Sequence, residues 1–331
     1  MAAEGTLVLT RSDVAALLSL EECIAAVEEA FRLHGEGKAA PPGVLALHSA
    51  EGAFHIKAGL LGSSRPYFVA KGNTNFAANP QRLGLPAIQG VIVMCDAADG
   101  RLLALLDSIE ITIQRTGAAT AVAAKYLARR DSRVATICGC GNQGRVQLRC
   151  LKTVLPLERV HAFDTDPERA RALAQEMSGE LGIQVDAVRD LSRAARESDA
   201  VVTCTPSKQS YFNRDYVKPG AFVAAVGADA PDKQELEPAL LAGNKLVTDV
   251  TEQCATLGEL HHALEAKLLT RADVHAELGE VVAGRRPGRA SAEEVIIFDS
   301  TGMALQDAAA AILVYERALA AGRGLRVNLA G

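Results

Sequence analysis

The stretch VATICGCGNQGRVQLRC, residues 134–150, runs from an apolar segment through Gly139, Gly141 and Gly144 into a helical pattern. A strand, a GxGxxG turn and a helix in that order can reflect close packing alone, so the surroundings decide. A second apolar run, RVHAF, follows and ends in Asp164, 20 residues after Gly144. An acid at that spacing hydrogen-bonds the ribose in a dinucleotide-binding βαβ unit. Glycines without Cβ atoms let backbone N–H groups and the positive end of the following helix approach a pyrophosphate. Asp164 would repel a 2′-phosphate, and DTDPERA sets no basic residue immediately beside it, so NAD is favoured over NADP. Arg169 reads as a solvated helix-face residue.

Outward from that loop the text keeps one rhythm. RVATICG, RVHAFD, IQVDAV, DAVVTCT, AFVAAVG, KLVTDV and EVIIFDS are short apolar runs bounded by helix or turn signals. Buried strands alternating with helices predict a parallel, doubly wound sheet, here over residues 116–304. Upstream the period changes. SLEECIAAVEEAFRLHGEG is helical, with Ser19 as cap and Glu22 reaching back, and Gly35 and Gly37 end it. VLALHS, AFHIKAGL, YFVAKGN and GVIVMCD then read as an antiparallel meander punctuated by SAEG, GSSRP and DAADG. EITIQRTGAATAVAAKYLARRD is an Ala-rich helix leading into the doubly wound part. MALQDAAAAILVYERALAAG is a long amphipathic helix able to pack back on the N-terminal domain.

The 331 residues suffice for two domains, and 49% apolar with 23% charged residues describes a globular protein. A net charge of −5 without a basic stripe argues against a nucleic-acid partner. The opening MAAEGTLVLTRSD has Glu4 where a signal peptide needs positive charge, and GAATAVAAKYLA is too short for a membrane span and carries Lys125, so a cytoplasmic protein is expected. Seven scattered cysteines suit reduced, buried thiols. Cys138 and Cys140 lack a second ligand pair at zinc spacing, and no metal is expected.

Four motifs in order, ITIQRTGAATAVAAKYLA, GCGNQGRVQ, VGADAPDKQEL and FDSTG, resemble those of the ornithine cyclodeaminase and mu-crystallin family. That family includes archaeal-type alanine dehydrogenase and imino-acid and ketimine reductases. The resemblance implies a Rossmann NAD-binding domain over 116–304 and a discontinuous α+β domain, 1–115 and 305–331, for substrate binding and dimerisation. It implies a homodimer, with NAD as cofactor. By the same resemblance Lys71 faces the substrate carboxylate and reacting nitrogen. Arg115 clamps that carboxylate beside the nicotinamide, a task suited to the bidentate guanidinium. Thr116, Asn142 and Gln143 match positions around the pyrophosphate. Thr205, Val226, Lys233 and Ser300 match positions lining the nicotinamide half, Gly227 is a further cofactor-binding position, and Asp229 matches the acid that moves a proton.

The residues carry these assignments unequally. Lys71 follows an apolar run and precedes a glycine, unlike a solvated edge lysine. Asp229 could cap a helix beginning near KQELEPALL, yet it follows the strand AFVAAVG at the carboxyl edge where doubly wound sheets bind ligands. His261 and His262 read as solvated. His55 and Lys57 alternate along FHIKAG, share one face and could line the substrate pocket. Cyclodeaminases supply an arginine where this chain has Gly43, and an acid for the distal amine where it has AFHIKAG. Lys57 would repel an ornithine ammonium and suits a second carboxylate. The expected activity is therefore NAD-dependent interconversion of a small α-imino acid and α-amino acid, with dicarboxylic substrates included. An ornithine or lysine cyclodeaminase with bound NAD, or a mu-crystallin-like nucleotide- or ligand-binding protein, are the alternatives.

Overall fold

The computed structural model describes residues 5–62 and 65–329; Glu4 and the Ser63–Ser64 centre of the expected GSSRP turn lie outside them. The chain divides into two compact units: Met1–Arg115 with Met303–Gly331, and Thr116–Gly302. The boundary falls within the helix Ile109–Leu127.

The first unit holds a seven-stranded sheet in the order Leu325–Val327, Thr6–Leu9, Leu102–Asp107, Ile88–Asp96, Tyr67–Asn75, Ala53–Leu61, Gly43–His48. The last four are the expected antiparallel meander, and Leu102–Asp107, which the sequence reading lacks, extends it by a fifth strand. Thr6–Leu9 joins it parallel to Leu102–Asp107, and Leu325–Val327 pairs antiparallel on the outside. Neither of these two short strands is read from sequence, because runs of four and three residues carry no period.

Strand alternation gives this sheet two unlike faces. Lys57, Gly59 and Leu61 turn inward with Tyr67, Val69 and Lys71. Against that face lies the helix Ala304–Ala321, which also packs on Leu20–Gly35. Alanine fills five of its first eight positions, and Gly59 clears the way: a Cβ there would stand 3.0 Å from Leu305 Cδ2. Small residues on both sides let the helix lie close to the strands. The Leu20–Gly35 helix buries Cys23, Ile24, Val27, Ala30 and Phe31. Ser19 is its N-cap, but the hydroxyl bonds the Glu22 carboxylate, not a backbone N–H, which corrects the expected capping detail.

The second unit is an eight-stranded, wholly parallel sheet in the order Ala276–Glu277, Lys245–Thr248, Ile296–Asp299, Phe222–Ala225, Ala200–Thr203, Val134–Cys138, Arg159–Phe163, Gln184–Ala187. All seven apolar runs become strands, and the sheet adds the two-residue edge Ala276–Glu277. From Val134–Cys138 the chain builds outward to Gln184–Ala187, then returns to lay Ala200–Thr203 on the other side. That reversal puts the ligand crevice of a doubly wound sheet at the end of Val134–Cys138, where the glycine loop begins. Among the described residues no helix is long and apolar enough to cross a membrane.

Candidate active site

In the first unit Lys57 and Lys71 stand directly opposite on adjacent strands, both pointing inward. Like charges paired across strands repel, and burial adds the loss of hydration. The compensation comes from Asp307, 1% exposed in the first turn of the helix Ala304–Ala321. Lys71 Nζ donates to Asp307 Oδ1 at 2.8 Å and Arg115 Nε donates to the same oxygen at 2.9 Å. Arg115 Nη1 also donates to Gln306 Oε1 at 2.8 Å, and Lys71 Nζ reaches Thr112 Oγ1 at 3.3 Å. His55 lies on the same face, half-buried, its ring 6.4 Å from that of His48.

Two cations, Lys71 and Arg115, share the one Asp307 oxygen, and Lys57 adds its charge to the field at the carboxylate. Burial pushes the Lys71 ammonium down to about 7, with Arg115 and Lys57 adding to the fall and Asp307 opposing it. Burial alone would raise the Asp307 carboxyl, but Arg115 and Lys71 outweigh it and hold the group below its usual range. Asp307 Oδ2 and Gln306 Nε2 are buried without a hydrogen-bond partner. Such a cluster can hold an anion, and it keeps one amine that gains and loses a proton near neutrality.

Asp307 and Gln306 are the functional candidates that the sequence reading misses. Their signal was two polar residues, QD, in a run otherwise made of alanine and leucine at the start of a helix taken as amphipathic.

In the second unit the glycine loop suits a dinucleotide. Gly139 has φ +102°, and a Cβ on Gly144 would lie 2.2 Å from Gly139 O, so the turn needs both glycines. Gly141 is the N-cap of Asn142–Val154, makes no side-chain cap bond, and has nothing within 4 Å of a would-be Cβ. That 13-residue helix opens with the exposed Asn142, while Gln143 is half-buried. Asp164 accepts Cys140 N–H at 2.8 Å and Asp166 N–H at 2.9 Å, which fixes its carboxylate against the loop. Arg169 pairs with Asp166, in keeping with NAD rather than its phosphate. These residues fit NAD: the loop and helix start would hold the pyrophosphate and Asp164 the ribose.

The other expected positions gather at the carboxyl ends of neighbouring strands. Thr205 and Gly227 share one buried partner, Glu235, and Val226 lies between strand and loop with its N–H on Thr203 O. Ser300 Oγ donates to Asp249 at 3.0 Å. Thr116 opens this unit's share of the helix Ile109–Leu127. Asp229 caps no helix: the next one is Pro238–Ala242, with Glu237 at its N-cap. Instead Lys233 Nζ donates to Asp229 Oδ1 at 2.6 Å, and although burial opposes it, this partner keeps the lysine above its usual value. His261 and His262, expected in solvent, are half-buried, and His262 Nε2 lies 2.8 Å from Lys233 O.

A model of the ornithine cyclodeaminase/mu-crystallin family matches residues 4–322. The chain is 39% identical over 324 residues, 98% of each chain, to an alanine dehydrogenase of Archaeoglobus fulgidus. It is 35% identical over 320 residues, 94% of this chain and 96% of the relative, to an iminosuccinate reductase of Paracoccus denitrificans. The structure of an archaeal alanine dehydrogenase dimer with bound NAD superposes with a TM-score of 0.94 at 37% identity, covering 98% of this chain and all of that one. A Thermococcus litoralis Δ1-pyrroline-2-carboxylate reductase holding NADH and L-proline gives 0.92 at 33% identity, over 97% and 100% of the two chains.

Proposed function

This chain belongs to the ornithine cyclodeaminase/mu-crystallin family, and from that premise we propose that it is an NAD-dependent oxidoreductase interconverting a small α-imino acid and the corresponding α-amino acid. The observation that carries the reading is the buried set Lys71, Arg115 and Asp307 with its surplus of positive charge. Arg115 and Lys71 hold the substrate carboxylate, and fixing its orientation removes several kcal/mol from the barrier. Bound nicotinamide supplies the hydride for reduction of the imine carbon and takes it back in the reverse direction. Lys71 gives its proton to the imine nitrogen, or receives one from the amine. Asp229, paired with Lys233, is the second group in the chain able to pass a proton.

Purified enzyme consumes NADH in proportion to amine incorporated when given a 2-oxo acid and ammonium or methylamine. Ammonia and proline from ornithine without net NADH change would overturn the reading in favour of a cyclodeaminase. Because Lys71 titrates at about 7, the two directions diverge with pH. The sign follows from the proton: reduction needs the ammonium and declines as pH rises through about 7, whereas amine oxidation needs the free amine and increases over the same range. Steady-state profiles in both directions check this, and parallel profiles would remove Lys71 from the proton transfer.

Lys57, buried beside Lys71, supports a substrate with a second carboxylate and weighs against a distal ammonium. Lys57→Met is expected to cost about tenfold in kcat/KM with oxaloacetate and ammonium, the loss of one charge-assisted hydrogen bond, and little with pyruvate.

The reading includes a homodimer. The outer face of the first unit's sheet exposes Leu45, Leu47, Phe54, Ile56, Leu60 and Phe68, paired across strands as Leu47 with Phe54, Leu45 with Ile56 and Leu60 with Phe68. A contiguous apolar sheet face of this kind calls for a partner, and a second copy offers the same surface. Ile56→Asp is expected to halve the mass measured by light scattering from twice 34.8 kDa to that value.

A further inference from the structure

Three buried carboxylates form a chain of anchors in the second unit that none of the roles above uses. Asp299, at the end of the strand Ile296–Asp299, accepts the N–H groups of Glu259 and Leu260 at 3.2 and 2.9 Å. Glu259 in turn accepts the N–H groups of Glu235 and Leu236 at 2.7 and 3.1 Å. Glu235 then receives four donors. Thr205 N–H, Thr205 Oγ1 and Tyr211 Oη reach Oε1 at 2.7, 2.6 and 2.9 Å, and Gly227 N–H reaches Oε2 at 2.9 Å.

Every partner of the Glu235 carboxylate donates, and the side chain is 0% exposed. Gly227 is shaped to it: a Cβ there would stand 2.4 Å from Glu235 Oε2 and 2.4 Å from Thr205 O. The two loops it joins leave adjacent parallel strands, Ala200–Thr203 and Phe222–Ala225, at their carboxyl ends. The second loop also carries Asp229 and Lys233. Burying three carboxylates is costly, and burial pushes Asp299 up to about 7 and Glu259 well above its ordinary value. A buried charge set is poor evidence of stabilisation, so its geometric effect is the better account.

We propose that Glu235 is a positioning residue for the nicotinamide half of the cofactor: it clamps the Thr205 and Gly227 loops in the separation that half requires, and the Asp299–Glu259 pair holds Glu235 itself in place. The inference rests on the NAD reading given above. It predicts an effect confined to one end of the dinucleotide, since the donors to Glu235 are Thr205, Tyr211 and Gly227 and include neither the loop of Gly139, Gly141 and Gly144 nor any group that binds Asp164.

Glu235→Gln tests this. In either orientation of the amide, its NH₂ meets a backbone N–H, of Gly227 or of Thr205, that now donates to oxygen. NADH affinity, followed by the fluorescence of the bound coenzyme, is expected to fall about tenfold, as for the loss of one charge-assisted hydrogen bond with its partner left unpaired. Affinity for ADP-ribose, which lacks nicotinamide, is measured by calorimetry and should stay within about twofold of the native value. Equal weakening of both ligands, or of neither, would overturn the proposal. If native protein bound NADH no more tightly than ADP-ribose, the nicotinamide reading itself would fail and take the proposal with it. Should Glu235→Gln not fold, Tyr211→Phe removes one donor at nearly constant volume. The same selectivity at about threefold is then expected, and its absence refutes the clamp.

Discussion

Lys71→Met lowers kcat/KM for imine reduction by about three orders of magnitude, within the range for removal of a positioned general acid. Methionine keeps the length and apolar stem of the lysine, so the sheet and the Ala304–Ala321 helix have no volume to refill. What disappears is the proton donor and one of the two bonds to Asp307 Oδ1. Arg115 remains to hold both Asp307 and the substrate carboxylate, so KM rises less than kcat falls. NADH affinity is unchanged, because the loop that would hold it belongs to the other unit. The limb of the pH profile near 7 vanishes with the amine. A loss of only a few fold with that limb retained would assign proton transfer to Asp229 instead.

Asp307→Asn has the second large effect, and it is on stability before activity. Asp307 is the carboxylate that Lys71 and Arg115 share, and removing one partner of a buried ion pair costs about 3 kcal/mol or more at neutral pH. Part of this is relieved by Lys71, which sheds its proton still more readily once Asp307 no longer favours the charged form. The pH dependence follows. In the native fold Lys71 titrates at about 7 and in the unfolded chain at 10.5, so between those values the unfolded chain binds more protons and stability rises with pH. In Asp307→Asn the folded-state value of Lys71 falls below about 7, so the deficit is largest below neutrality and narrows as pH rises through about 7, where Lys71 loses its charge in the native protein too. Urea unfolding at several pH values measures it; a deficit independent of pH would mean that Lys71 and Asp307 are not coupled.

The parts of this protein legible in sequence are those written in local period. The strand, glycine turn, helix and acid from Val134 to Asp164 obey spacing rules set by backbone geometry, and the seven buried strands announce themselves as apolar runs. The two-strand extension by Thr6–Leu9 and Leu325–Val327 did not, since its pairing joins the ends of the chain. Asp307 was illegible for a related reason: its partner Lys71 lies 236 residues away, and nothing local marks a carboxylate that answers a distant amine. Glu235 and Glu259 were hidden by habit of composition, because acidic side chains in DKQELEP and GELHHALE ordinarily face water.

The first unit is interrupted by the second, and this sets an order in time. Arg115 is synthesised 192 residues before Asp307. At ribosomal rates of about 5–20 residues per second the interval is roughly 10–40 s. During it the inner face of the sheet has neither its covering helix nor the counter-charge for its cations, while the intervening unit, Thr116–Gly302, is being made. Synthesis of residues 303–307 is thus what brings the shared carboxylate, so a product truncated at residue 302 would carry the glycine loop yet lack the acid that its lysine and arginine share.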